Sequence, residues 1–433
     1  MATENTWARR SKVAVAATIA IGLTLTGCTA ESSAEPQSSI TFWHYWTDRA
    51  DLLQELATQY EDETGVEVKL ELVPGDALGQ KFQAAAQADT LPDISAGWVG
   101  ASEELAAYAL EGQVLNLSEL DDADSWFERF EASTMQGVTY MEGNQWGVDP
   151  GAYLVPFDAT NMQILYNKDL FDEAGIDSPP TDLDELVEAS EKLRESGAQP
   201  FVSGFSSWPL QTFAMMYIDN IVPLDVRDAA YSGEGRYDTA EWVQFLETFK
   251  TLTEAGVFAD GILGYDMPAA ETLFTSGQVG MIFDGSWALG VFDQINPDFK
   301  NYGVFMPPSL GDEPLYLSGG VGSMAFVVGT SPRAEEAAAF LEWITESPQQ
   351  KKYAESSFNI PANSEVADQV ELDENIAAFA AGSEQILPPS TVAMQAPVIT
   401  TMIAGIQLII AGTDSPESVA TKMQKALESG QPQ

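Results

Sequence analysis

Apolar and polar positions along this chain fall in short blocks that switch between a two-residue period and a helical one. Residues 40–43 form an apolar, β-prone run, followed by a polar-aromatic turn at 44–47 and by Leu52, Leu53, Leu56 and Tyr60 at helical spacing. Residues 66–73 alternate as a second strand and 81–88 read as helical. Leu91, Pro92, Asp93 and Ile94 then lead a third strand into Trp98, which glycines flank. In a β-α-β-α-β run of this kind, right-handed crossovers put the loops after each strand along one edge, so His44, Trp46 and Trp98 are expected to face a common cleft. Strands at 200–203 and 279–283 and helices at 241–249 and 334–344 continue the alternation, which predicts an α/β protein with mainly parallel sheets.

The N-terminal segment breaks the pattern. Arg9, Arg10 and Lys12 precede an apolar stretch at 13–25, shorter than the ~20 residues a bilayer span needs, so it reads as a secretory signal. Leu25, Thr26, Gly27 and Cys28 look like a bacterial lipobox. Residues 1–27 are then a lipoprotein signal peptide, Cys28 is the lipidated mature N-terminus, and 28–39, rich in Ala, Ser and Glu, form a flexible tether. The alternative is an ordinary signal cleaved elsewhere, leaving Cys28 as a free thiol. As the only cysteine it allows no intramolecular disulfide. No later stretch approaches ~18 uninterrupted apolar residues, so the N-terminal lipid is the expected membrane contact, on the extracellular face of the cell membrane. Residues 40–433 exceed what one hydrophobic core usually organises, which predicts two lobes.

Acidic residues outnumber basic ones by 66 to 19, a net charge of −47, and this argues against nucleic acid or an anionic lipid surface as partner. The charge fits a solvated acidic surface, a salty habitat, or a cationic ligand such as a polyamine. One histidine and one lipidated cysteine exclude a thiol–histidine pair, a single histidine excludes a multi-histidine zinc site, and no Gly-x-Ser-x-Gly elbow or phosphate loop is present. Neither metal nor cofactor is expected, and neither is catalysis. The two carboxylates of a glycoside-cleaving enzyme remain open on counting alone.

From Tyr166 to Phe171 the chain reads Tyr-Asn-Lys-Asp-Leu-Phe, followed by Ala174-Gly175-Ile176 and Pro180-Thr181. With Asp89 to Asp93, Gly277 to Met281, Gly285-Ser286-Trp287, Ser318-Gly319-Gly320, the helix 334–343 and Asn359-Ile360-Pro361-Ala362, these segments resemble the extracellular solute-binding proteins of carbohydrate ABC importers, the group of the maltodextrin-binding protein. The resemblance implies a two-lobed periplasmic-binding-protein type II fold with a multi-strand hinge and a ligand cleft between the lobes. Lobe one would hold residues 40–149 and 308–361, and lobe two 150–307 and 362–433. Pro150-Gly151, Pro307-Pro308 and Pro361 punctuate extended segments, as hinges between compact units should. The implied function is capture of a sugar or oligosaccharide by lobe closure and its delivery to membrane permease subunits, by a monomer.

A sugar offers an apolar C–H face and a belt of hydroxyls, so its site needs aromatic platforms beside planar polar groups. Of the ten tryptophans, Trp242 and Trp343 lie in amphipathic helical runs and are expected to pack, while Trp126 and Trp146 fit either role. Trp46, Trp98, Trp208 and Trp287 have loop residues or glycine beside them and are the expected platforms. Trp287 and Tyr166 match family positions that contact ligand. His44 can both donate to and accept from hydroxyls, Asp149 and Asp284 can accept two hydroxyls each, and Gly320 lets backbone N–H groups approach. The turn His44 to Thr47 and the region of Met394 and Gln395 depart from the maltodextrin-type pattern, which opens the ligand to other oligosaccharides or a disaccharide.

Overall fold

The computed structural model describes residues 38–97, 99–357, 359–367, 369–370, 373–386 and 393–431. The signal peptide, Cys28, nearly all of the tether, and Trp98 lie outside them. Among the described residues the strands in the first part of the chain are β1 (Ser39–His44), β2 (Glu67–Leu72), β3 (Ile94–Ala96), β4 (Thr139–Tyr140), β5 (Gly151–Ala152), β6 (Val155–Pro156) and β7 (Asp158–Asn167). Then come β8 (Gln199–Val202), β9 (Val279–Gly285), β10 (Tyr302–Phe305), β11 (Gly319–Val321), β12 (Met324–Val327) and β13 (Ile360–Pro361).

Two sheets carry the two lobes. The first has the order β2-β1-β3-β12-β6 and the second β10-β7-β9-β8. The opening β-α-β-α-β reading holds: β1 pairs parallel with β2 and with β3. The helix Ala50–Thr64 between them buries Leu52, Leu53, Leu56 and Tyr60, the positions the helical period selects. The following helix, Gly75–Ala88, ends at Asp89, whose φ of 54° takes the left-handed cap conformation that aspartate tolerates. Around this sheet Phe42, Leu56, Ile94, Phe157, Val327, Phe340 and Tyr353 form a core. In the second lobe Ile164, Phe201, Phe213, Trp242, Phe249, Phe283, Met402 and Met423 form another.

Mainly parallel pairing fails for the second sheet. The long β7 runs antiparallel to both β9 and β10, and only β8 is parallel to β9. The reason is that β7 serves both halves of the molecule: its first residues pair with β11 and β13, its later ones with β9 and β10. The expected first crossing at Pro150 also lies too early, because β5 forms a ribbon with β4 and β6 joins the first sheet beside β12. The chain passes to the second sheet along β7, after Phe157. β7, β11 and β13 together are the multi-strand hinge.

Candidate functional site

Where the first strand ends, the turn Tyr45, Trp46, Thr47 and Asp48 and the guanidinium of Arg49 form one wall of a cleft of about 580 Å³. Its floor is hinge: Asp158 and Thr160 of β7, Val321 beside Gly322 and Ser323, and Asn359 just before β13. Trp208, Trp287 and Val291 supply the opposite wall.

Trp287 follows β9 after one residue, Ser286, and its loop is tied down. Thr160 Oγ1 and Ser286 Oγ lie 2.9 Å apart, and the Ser286 N–H donates to the Asn161 carbonyl at 3.2 Å. The indole folds back over Gly285, where a Cβ would meet ring carbon Cζ3 at 2.1 Å, so only glycine leaves the ring its place. Trp208 opens the helix Trp208–Ile221, is 48% exposed, and sets its ring centroid 5.9 Å from that of Trp287 at an interplanar angle of 54°. The pair is an angled aromatic surface facing the cleft.

Trp46 reaches the cleft with one edge, but most of its ring is buried, edge-on to Phe157 at 5.2 Å and to Phe42 at 5.9 Å. His44 is beneath it, 2% exposed and absent from the lining. Desolvation, with Arg49 next and Asp48 opposing, lowers its pKa to about 4, so the ring is neutral. As a direct sugar contact His44 is corrected to a core position under the turn.

Tyr166 is corrected too. It pairs with Met281 near the end of β7 remote from the hinge, and its ring packs on Phe171 at 4.8 Å and Phe305 at 5.7 Å. Asp149 is exposed in the loop before β5 and does not line the cleft; its carbonyl accepts the Tyr153 hydroxyl at 3.2 Å. Asp284 is fully buried within β9, so it cannot bind hydroxyls directly. Gly320, at φ +125° in β11, is next to the lining residues Val321 and Gly322 rather than among them. Trp126 and Trp146 pack: the Trp126 indole donates to Thr345 Oγ1 at 2.9 Å, and Trp146 sits against Tyr140 at 5.7 Å.

A polar cluster at the cleft floor escaped the sequence reading. Arg49 pairs with Asp48 at 2.6 Å and Asp158 at 2.5 Å and donates to Ser323 Oγ at 3.1 Å and to the Tyr353 hydroxyl. Tyr353 in turn donates to Asp158 at 2.9 Å, and the Ser323 N–H to the other Asp158 oxygen at 2.7 Å. These buried charges are paired and hydrogen-bonded, as charges out of water must be. The signal available was an arginine and an aspartate directly after the aromatic turn. Among the described residues no group of three or more metal-ligating side chains converges, and no helix is long and apolar enough to cross a membrane.

Two lobes on separate sheets, three strands crossing between them and an aromatic cleft over the hinge define a two-lobed ligand-binding protein of the periplasmic type. Residues 46–351 match the family model of the bacterial extracellular solute-binding proteins, and the chain belongs to that family. It is 25% identical over 361 residues to a putative binding protein of Brucella abortus (strain 2308), covering 81% of this chain and 83% of that one. To the maltooligosaccharide ABC transporter solute-binding lipoprotein of Streptococcus pneumoniae serotype 4 it is 24% identical over 336 residues, 74% of this chain and 71% of that one. A solved chitin oligosaccharide binding protein shares the fold, with a TM-score of 0.74, 23% identity and coverage of 90% of this chain and 98% of that one.

Proposed function

We propose that this protein is the substrate-binding component of a carbohydrate ABC importer, anchored outside the cell by lipid on Cys28, which captures a sugar or oligosaccharide in its cleft and presents it to permease subunits. The observation that carries this reading is the angled Trp208 and Trp287 pair facing a polar hinge floor, which matches the amphipathic faces of a pyranose. The relatives named for maltooligosaccharide and chitin oligosaccharide binding support the same class. A ligand that touches both walls stabilises the closed arrangement by its differential affinity for it.

A cationic ligand is the less favoured reading. Arg49 already neutralises much of the charge of Asp48 and Asp158, which leaves the cleft without the unpaired carboxylates a polyamine cage requires. Thermal unfolding of the protein against mono- and oligosaccharides, with spermidine and putrescine included, at low and high salt, separates the two. Ligands of the native state raise the midpoint. A rise with one sugar class that persists at high salt is expected; a rise with polyamines alone that salt abolishes would overturn the assignment.

A further inference from the structure

A second cavity, of about 380 Å³, lies in the second lobe and shares no lining residue with the cleft. Met215, Asp219, Arg227, Tyr231, Tyr316 and Met394 surround it. Its polar centre is held in place. Asp219 is 7% exposed; one of its carboxyl oxygens pairs with Arg227, and among the described residues nothing donates to the other. Arg227 is itself buried, donates to Asp228 at 2.7 Å, and sets its guanidinium carbon 5.8 Å from the centre of the Tyr231 ring, so it fixes both the acid and the aromatic face. A carboxylate oxygen open to a ligand, beside two tyrosine rings and two methionine side chains, joins hydrogen-bond acceptance to apolar surface, as a pyranose requires.

Two elements run from the cleft to this cavity. The helix Trp208–Ile221 starts at the platform Trp208 and brings Met215 and then Asp219 to the cavity, the latter ~16 Å further along its axis. On the hinge side β11 and its approach do the same: Val321 lines the cleft, whereas Ser318 and Gly319, ~10 Å back along the strand, line the cavity. Between them Gly320 takes a φ of +125°, and a Cβ there would meet nothing within 4 Å, so the backbone linking the two spaces has room beside it. Such a span takes several linked sugar rings.

We propose that this cavity is a distal sugar subsite. An oligosaccharide whose first rings rest on Trp208 and Trp287 follows β11 past Gly320 and sets a further ring against Tyr231 and Tyr316, where Asp219 accepts its hydroxyls. The ligand class is therefore trisaccharides and longer chains. This deepens the sugar-capture reading and rests on it, and affinity measured against chain length separates failure of one from failure of the other.

Titration calorimetry is run on the protein with malto-, chito-, xylo-, cello- and galacto-oligosaccharides, each from the monosaccharide to the hexasaccharide. In the series that binds, affinity is expected to climb at least tenfold beyond the disaccharide. Asp219→Asn and Tyr316→Ala should each take about tenfold from the long chains, the worth of a hydrogen bond to a charged group or of a ring contact, and leave the disaccharide as it was. Trp287→Ala should weaken every length. Affinity that does not grow beyond the disaccharide, a gain with length that neither substitution reduces, or substitutions that weaken short and long chains alike would overturn the distal subsite and leave capture by Trp208 and Trp287 standing. Binding of no sugar at any length overturns both. Should Asp219→Asn fail to fold, Tyr316→Ala, at a half-buried position, and the length profile of the unsubstituted protein still decide.

Discussion

Trp287 and Arg49 both line the cleft but have opposite expected behaviour under truncation, because the indole presents an unbonded face there while the guanidinium is committed to protein partners. Trp287 is only partly buried and its exposed side turns to the cleft. Trp287→Ala should therefore lower affinity for the stabilising sugar by ~2 kcal/mol or more, the usual cost of losing an aromatic anchor, while the unfolding midpoint without ligand moves little. Titration calorimetry checks the first half and a thermal melt the second; unchanged affinity in a folded variant would remove Trp287 from the site. Arg49 is buried with Asp48 and Asp158 on either side. Arg49→Ala strands both carboxylates, and breaking such a pair from one side costs about 3–5 kcal/mol. Denaturant unfolding should register a loss of that size; a loss below ~1 kcal/mol would mean that water reaches the carboxylates.

At the level of elements, the hinge depends on close approach. Gly322 follows β11, and a Cβ there would lie 2.1 Å from Asp158 Oδ1, so Gly322→Ala must push the carboxylate off its Arg49 and Ser323 partners. Overpacking of this kind costs about 1–3 kcal/mol, to be read from denaturant unfolding, and a neutral result would show that Asp158 can shift without loss. The first three strands and their helices were legible because each buries its own periodic stripe, and Trp208 and Trp287 stood out because loop residues or glycine flank them. Tyr166 was misplaced for a physical reason: its motif marks a strand but not the strand's direction, and antiparallel β7 carries it away from the hinge. The pairing of Arg49 with Asp158 spans 109 positions, and no local pattern reports a contact that only the hinge creates. His44 followed the same logic as Trp46, but strand alternation turned it inward.

For the whole molecule, the net charge of −47 and the buried acids predict different dependences on conditions. Like charges on the surface repel at distances that salt screens, the Debye length falling from ~10 Å at 0.1 M to ~3 Å at 1 M. The thermal midpoint should therefore rise with sodium chloride, and a midpoint that falls would rule out self-repulsion as a leading cost. The dependence on pH has contributions of both signs. His44, lowered to about 4, lacks a proton in the fold that the unfolded chain binds below about 6.5, so it makes stability rise with pH only across that window. Glu271, raised to about 8, keeps a proton in the fold that the unfolded chain has released, so its contribution is full below the unfolded value of 4.5 and is lost as pH climbs towards 8. Asp284 acts in the same direction. Between pH 6.5 and 8 the histidine contribution dies away while that of the acids remains and outweighs it, so stability should fall, each retained proton contributing at most about 1.4 kcal/mol per pH unit. Urea unfolding at half-unit steps across this window measures the slope, and Glu271→Gln should make it shallower. A slope that is flat or positive in the unsubstituted protein would mean that both acids are ionised in the fold and that a counter-charge reaches them.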